Sequence, residues 1–178
     1  MFILDLTLIF AIIFVILIVS TVIATIWASV PFVPTPRKTI DAMIKAAELK
    51  GDETVYDLGA GDGRMLIRVK KKYPNITAIG YEIVPLVWFM GWLRTFVSRS
   101  GVKLKFGNSF KADIGDADCI LLYMITRLMA LFAKKFDKEL RPGTKVISHG
   151  FQFKDREYIK MIEVPGMLGM TRVYVYEW

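Results

Sequence analysis

Asp57, Gly59, Gly61, Gly63 and Glu82 are the residues of this chain whose types and spacing can do chemistry. Thr-Val-Tyr-Asp-Leu-Gly-Ala-Gly-Asp-Gly-Arg (54–64) reads as a buried strand, a glycine-rich turn and a helix that starts at Asp62 or Gly63. Without a Cβ, Gly59, Gly61 and Gly63 let the backbone pass close to a ligand, with the small Ala60 between them. The helix start adds unpaired N–H groups and the positive end of a dipole. Asp57 closes the first strand, and Glu82, 23 residues after Gly59, closes the next. An acid at that second strand end can accept both hydroxyls of a ribose. The chemistry implied is recognition of a nucleoside cofactor at the switch point of a parallel sheet.

Two phosphate-binding alternatives fail on spacing. Aligned on Gly59 and Gly61, the third glycine of the dinucleotide fingerprint falls on Arg64. No Gly-Lys-Ser/Thr follows, so the turn is not a Walker loop. The chain has one cysteine and one histidine, which excludes an internal disulfide and a zinc site; no metal site is expected. Cys119 lies in an apolar run and reads as core. His149 has no nucleophile elbow to serve and reads as a strand-end residue.

The elements that must position these residues follow from the hydrophobic pattern. Leu6 to Val30 is an uncharged stretch of 25 residues, about 37 Å as a helix at ~1.5 Å per residue. That length crosses a hydrocarbon core of about 30 Å. No basic residue precedes it and Ala-Ser-Val-Pro is a poor cleavage site, so it reads as a retained anchor rather than a signal peptide. Pro31, Pro34 and Pro36 then make a stiff connector. The expected organisation is an anchor and connector over 1–33 and one domain over 34–178. All 24 lysines and arginines but only 16 of the 17 acids lie beyond Asp5, leaving a body of charge +8. Arg37 and Lys38 just past the anchor place that body on the cytoplasmic side of a single-pass protein. Its charge fits anionic headgroups before nucleic acid, which is not expected as a partner.

Beyond the connector, strands are expected at 54–58, 77–81, 103–106, 119–123 and 145–148, with helices at 39–49, 63–73, 85–99 and 126–140 between them. Two further β-like runs, 158–164 and 172–178, suit a terminal hairpin. Alternating strands and helices mean an α/β fold with a mostly parallel sheet. On the 85–99 helix, Leu86, Phe89, Met90, Leu93, Phe96 and Val97 are expected to face the sheet. Trp88 and Trp92 stand on a second face, suited to packing on the anchor, to the membrane interface, or to the core.

Asp-x-Gly-x-Gly-x-Gly, carried by Asp57, Gly59, Gly61 and Gly63, resembles motif I of class I S-adenosylmethionine (SAM) methyltransferases. Further blocks sharpen the likeness: Pro-Phe-Val-Pro-Thr-Pro (31–36), Gly-Tyr-Glu-Ile-Val-Pro-Leu (80–86), Asp-Ala-Asp-Cys-Ile-Leu-Leu-Tyr (116–123) and Glu-Leu-Arg-Pro-Gly-Thr-Lys-Val-Ile-Ser-His (139–149). Over roughly residues 30–153 the chain resembles small membrane-anchored prokaryotic relatives of the mitochondrial lysine methyltransferases of the ATP synthase c-subunit and adenine nucleotide translocase. The resemblance implies a Rossmann-like fold with a seven-stranded sheet and SAM as cofactor. It implies that Asp57 and the glycines cradle the methionine end and ribose. It places Asn108, Ser109 and Phe110 against the adenine, with Asn108 standing where an acid is usual, and Val84 where a polar residue is common. It also puts the methyl acceptor at the end of the fourth strand, where Tyr123 is the candidate catalytic residue. No Asn/Asp-Pro-Pro-Tyr occurs there, which argues against amide or nucleobase amine acceptors, while a tyrosine ring can hold an ammonium group. A lysine of a membrane protein is the implied acceptor. A membrane lipid or quinone, or a non-catalytic SAM-binding scaffold, are the alternatives; the oligomeric state is not legible.

Overall fold

A computed structural model describes residues 2–28, 32–167 and 169–178. The end of the apolar run at 29–30 and the first connector proline, Pro31, lie outside the described residues. Helix α1 (Phe2–Ala28) is apolar all round, and Leu6, Phe10, Phe14 and Ile26 stand more than half exposed. Its segment Asp5–Ile26, 22 residues, is long and apolar enough to cross a membrane.

The remaining elements run α2 (Arg37–Ala47), β1 (Thr54–Leu58), α3 (Arg64–Lys72), β2 (Thr77–Glu82), α4 (Pro85–Val97), β3 (Lys103–Phe106), β4 (Cys119–Leu122), α5 (Thr126–Glu139), β5 (Lys145–His149), β6 (Lys160–Pro165) and β7 (Met170–Glu177). A 3-10 turn at Ser109–Lys111, absent from the sequence expectation, follows β3. The sheet order is β3-β2-β1-β4-β5-β7-β6. β1 to β5 are parallel, and β7 inserts antiparallel between β5 and β6. The expected mostly parallel sheet with a terminal hairpin is what forms.

Strands β1, β2, β4, β5 and β7 feed two cores by period-2 alternation. Val55, Cys119, Leu121 and Ile147 face the layer of α2 and α3 with Ile40, Met43, Leu66 and Val69. Tyr56, Leu58, Ile120, Leu122 and Val146 face the other layer with Phe132 and Phe136 of α5. Strands buried on both faces need near-continuous apolar runs, which is why Cys-Ile-Leu-Leu forms β4. Cys119 is 1% exposed and burial pushes its thiol up to about 12, as a core residue requires. Lys70, in the basic run ending α3, turns its ammonium onto the Ile76 carbonyl at 2.9 Å.

Helix α4 corrects one expectation. Its buried side is Val87, Gly91 and Thr95, one stripe at a spacing of four. Phe89, Met90, Leu93, Phe96 and Val97, expected to face the sheet, are exposed instead. The helix is apolar on both sides, so hydrophobicity cannot choose the inner one; close approach does. A Cβ on Gly91 would stand 2.6 Å from Leu104 Cδ2 and 2.8 Å from the Gly61 carbonyl oxygen. Only the side that carries glycine fits against the glycine turn.

This packing predicts a sign. Alanine normally stabilises a helix interior over glycine by about 1 kcal/mol. Gly91→Ala will instead lower the thermal midpoint, because the new methyl meets backbone and overpacking costs roughly 1–3 kcal/mol. A raised midpoint in a thermal melt would show that α4 can move off the turn.

Candidate cofactor and acceptor site

All the candidate site residues collect at the carboxyl ends of the parallel strands. Strand order reverses between β1 and β4, which makes their carboxyl ends the switch point where open α/β sheets bind ligands. A cavity of about 400 Å³ opens there. Asp57, Gly59, Ala60, Gly61, Glu82, Asn108, Ser109, Phe110 and Tyr123 all line it; Gly63 does not.

The turn after β1 is held from the side by β2. The N–H groups of Gly59 and Ala60 donate to the Tyr81 carbonyl at 2.9 and 2.8 Å. Glu82 completes the clamp. One carboxylate oxygen accepts from the Gly61 N–H at 2.9 Å, and the other accepts from Ile83 and Val84 at 2.8 Å each. Glu82 is thus a buried brace rather than a solvated strand-end acid. Burial raises its pKa, and the three backbone donors pull the other way. Gly59, Gly61 and Gly63 all have positive φ (101°, 56° and 72°). A Cβ on Gly59 would stand 2.1 Å from Met124 Cε, and one on Gly61 would stand 2.6 Å from the Phe32 ring.

Asp57 is 3% exposed and accepts no hydrogen bond from the described residues. Burial, then the neighbouring charges of Glu82 and Asp62, pushes its pKa up to about 8. Asp62 behaves in the opposite way. Burial would raise its pKa, but Arg64 and Arg94 outweigh that and hold it low. The Arg64 Nη2 lies 2.6 Å from Asp62 Oδ2, and Arg94 pairs with the same oxygen. Asp62 therefore ties the start of α3 to α4, and α3 itself begins at Arg64, capped by Gly63.

Past β3, the side-chain oxygen Oδ1 of Asn108 accepts from the Phe110 N–H at 2.9 Å and caps the 3-10 turn. Its side-chain amide group remains to address a ligand. The Phe110 ring stacks on Phe132, centroids 4.2 Å apart. Tyr123, one residue past β4, is half-buried with its hydroxyl free of protein partners among the described residues. Its ring lies on His149 at 4.1 Å and near Phe151 at 6.2 Å.

Residues from three segments go beyond the sequence expectation. Phe32, Val33, Pro34 and Thr35 wall the cavity, so Pro-Phe-Val-Pro-Thr-Pro is more than the stiff connector its prolines suggest. Met124, Arg127 and Leu128 close the side near β4. His149, at the end of β5, backs Tyr123 while 3% exposed. Its Nε2 sits 3.3 Å from Thr171 Oγ1, its Nδ1 is buried without a partner among the described residues, and desolvation lowers its pKa to about 4. The ring behind Tyr123 is therefore neutral.

The cradle suits a nucleoside carrying a cation. The glycines keep the backbone open, Glu82 retains lone pairs beyond its three backbone bonds, and Asp57 offers a positive charge a carboxyl that is unpaired among the described residues.

Comparison with known proteins agrees with this chemistry. The family described as ANTKMT methyltransferase domain matches residues 57–160. A protein-lysine N-methyltransferase of Saccharolobus islandicus (strain REY15A) is 34% identical over 152 residues, covering 83% of this chain and 92% of that protein. A lysine N-methyltransferase of the ATP synthase c-subunit, from Homo sapiens, is 30% identical over 128 residues, covering 70% of this chain and 53% of that protein; the chain thus spans about half the human protein's length. Among solved structures, an RNA methyltransferase from Salinibacter ruber in complex with S-adenosyl-L-homocysteine aligns with a TM-score of 0.75 and 28% identity, covering 82% of this chain and 93% of that one.

The state of Asp57 is open to measurement without any ligand. Its folded pKa lies above the unfolded value, so its contribution to stability is fully present below about pH 4 and is lost as pH rises through about 8. Ligand-free Asp57→Asn will therefore gain on the wild type between pH 6 and pH 8, by roughly 2 kcal/mol. A stability difference that stays constant over that range, by denaturant titration, would mean that Asp57 is ionised throughout.

Proposed function

Because this chain belongs to the ANTKMT methyltransferase family, we propose that it methylates a lysine amine of a membrane protein, tethered by α1 with its body on the cytoplasmic side. It is a SAM-dependent methyltransferase, and its fold is the Rossmann-like one of that class. The observation that carries the finer reading is the pairing, in one cavity, of the Tyr123 ring with the Asp57 carboxyl, which has no partner among the described residues. Lysine as acceptor is supported by the lysine methylation for which the archaeal and human relatives are named. Tethering is supported by the uncharged stretch of α1 that follows Asp5 and by Arg37 and Lys38 beyond it.

SAM supplies an electrophilic methyl on a sulfonium. Asp57 would hold its positive methionine end and Glu82 its ribose hydroxyls, each through lone pairs directed at the cavity. Asn108, Ser109 and Phe110 would border the adenine. The burial of Asp57 keeps water from competing for that charge. Tyr123 presents its ring to the incoming amine, which it can hold by cation–π attraction before the amine loses its proton. A free lysine has a pKa of about 10.4. Entry among Tyr123, Phe151 and Leu128 desolvates the amine and lowers that value, so the proton leaves to solvent. The chain's main contribution is alignment, which needs no covalent enzyme intermediate.

Incubating the full chain with methyl-labelled SAM and a membrane fraction tests this. Label should appear in a protein band and survive hydrolysis as methyl-lysine. Label in the lipid extract or in RNA instead would assign a different acceptor. On the native acceptor, Tyr123→Ala will lose turnover on the order of 10²-fold through lost orientation, and Tyr123→Phe far less. If both variants keep wild-type turnover, Tyr123 only fills the rim.

A further inference from the structure

We propose that α4 lies in the membrane interface, with its outward face of Phe89, Met90, Trp92, Leu93, Phe96 and Val97 sunk into the headgroup–acyl boundary beside α1. This rests on the reading of α1 as a membrane span. The six side chains are 42–71% exposed, yet they form one continuous strip. Trp92 stacks between Phe89 and Phe96, with centroids 6.0 and 5.7 Å away. An exposed apolar face of this extent marks an interaction surface.

The position of α1 identifies the partner. The Leu86 N–H, in the first turn of α4, donates to Thr21 Oγ1 of α1 at 3.2 Å. Thr21 lies five residues before Ile26, the end of the candidate span, or about 8 Å inside it at ~1.5 Å per residue. Interfacial helices bury their apolar face to about 5–10 Å, so a helix that starts at this depth meets lipid on its outer side. Tryptophan is favoured at that level. The rim of the strip is basic: Arg99 and Lys103 are exposed beyond its end, as are Arg37 and Lys38 beyond the span, and all four suit anionic headgroups. The occupant is thus the bilayer rather than a soluble partner. Since Glu82 and Val84 of the cavity wall lead directly into α4, this docking sets the cavity at the membrane surface, where a lysine at the end of a spanning helix would stand.

Quenching of tryptophan fluorescence by brominated phospholipid tests the placement. The full chain is reconstituted into vesicles of brominated phosphatidylcholine with anionic phosphatidylglycerol, in three versions that each keep one tryptophan (Trp27, Trp92 or Trp178) and carry phenylalanine at the other three. Retained SAM binding, by calorimetry, qualifies each version as folded. Trp178 is the internal control: its neighbour Glu177 pairs with Lys145, at the opposite end of the sheet from the site. We expect strong quenching of Trp27 and Trp92 and little of Trp178. Quenching of Trp27 without Trp92 overturns the placement of α4 while leaving the anchor intact. Absence of quenching at both overturns the tethering reading as well. An unquenched Trp92 in a chain that crosslinks to itself through α4 would assign the face to a second copy instead.

Discussion

One carboxylate holds the candidate site together. Glu82 accepts three backbone N–H groups, one from the glycine turn after β1 and two from the start of the segment that leads into α4. Without it, these segments could move independently at the switch point. Charge-assisted bonds to backbone are stronger than neutral ones, and burial protects them from water. The turn can then carry three glycines with positive φ, an arrangement of high chain entropy, in one conformation. Gly91 completes the fixation by letting α4 close directly onto the turn.

The electrostatic pattern follows from this geometry. Three acids crowd the end of β1, but they are compensated differently. Asp62 is neutralised by Arg64 and Arg94 and serves structure. Glu82 is satisfied by backbone donors. Asp57 alone of the three has burial and like charges around it with nothing positive against it among the described residues. The fold leaves one buried carboxyl whose charge is costly until a cation arrives, and a sulfonium cofactor with an ammonium end carries such a charge. Binding a positive ligand would relieve the electrostatic cost that Asp57 places on the fold.

Much of this was legible in residue types. The spacing of Asp57, Gly59, Gly61 and Glu82 located the cavity that they line, since only a strand–turn–helix corner needs that sequence of shapes. Short β-rich runs between turn residues marked the strands, and the wholly apolar Cys119–Leu122 could hardly be anything else. What was not legible depended on contacts distant in sequence. Helix α4 is apolar on both sides, so periodicity alone pointed its large residues inward, whereas the glycine stripe decided the packing. His149 meets Tyr123 only because β4 and β5 are neighbours in the sheet. The Phe32 ring lies against Gly61, and no local pattern signals that a proline-rich connector will form a wall. Asn108 shows the limit at a single residue: its turn-forming and ligand-facing uses need the same side chain, and the structure commits its carbonyl to the turn.

The Glu82 carboxylate shapes the candidate cofactor cradle, and Glu82→Gln tests that claim most directly. The amide is the same size, but one of its two ends must turn an N–H toward a backbone N–H. Leaving buried donors unpaired costs about 1–3 kcal/mol, so calorimetry should show SAM affinity weakened roughly 10- to 100-fold, with circular dichroism unchanged. If Glu82→Gln binds SAM as tightly as the wild type, the clamp is not what forms the site, and the account built on it fails.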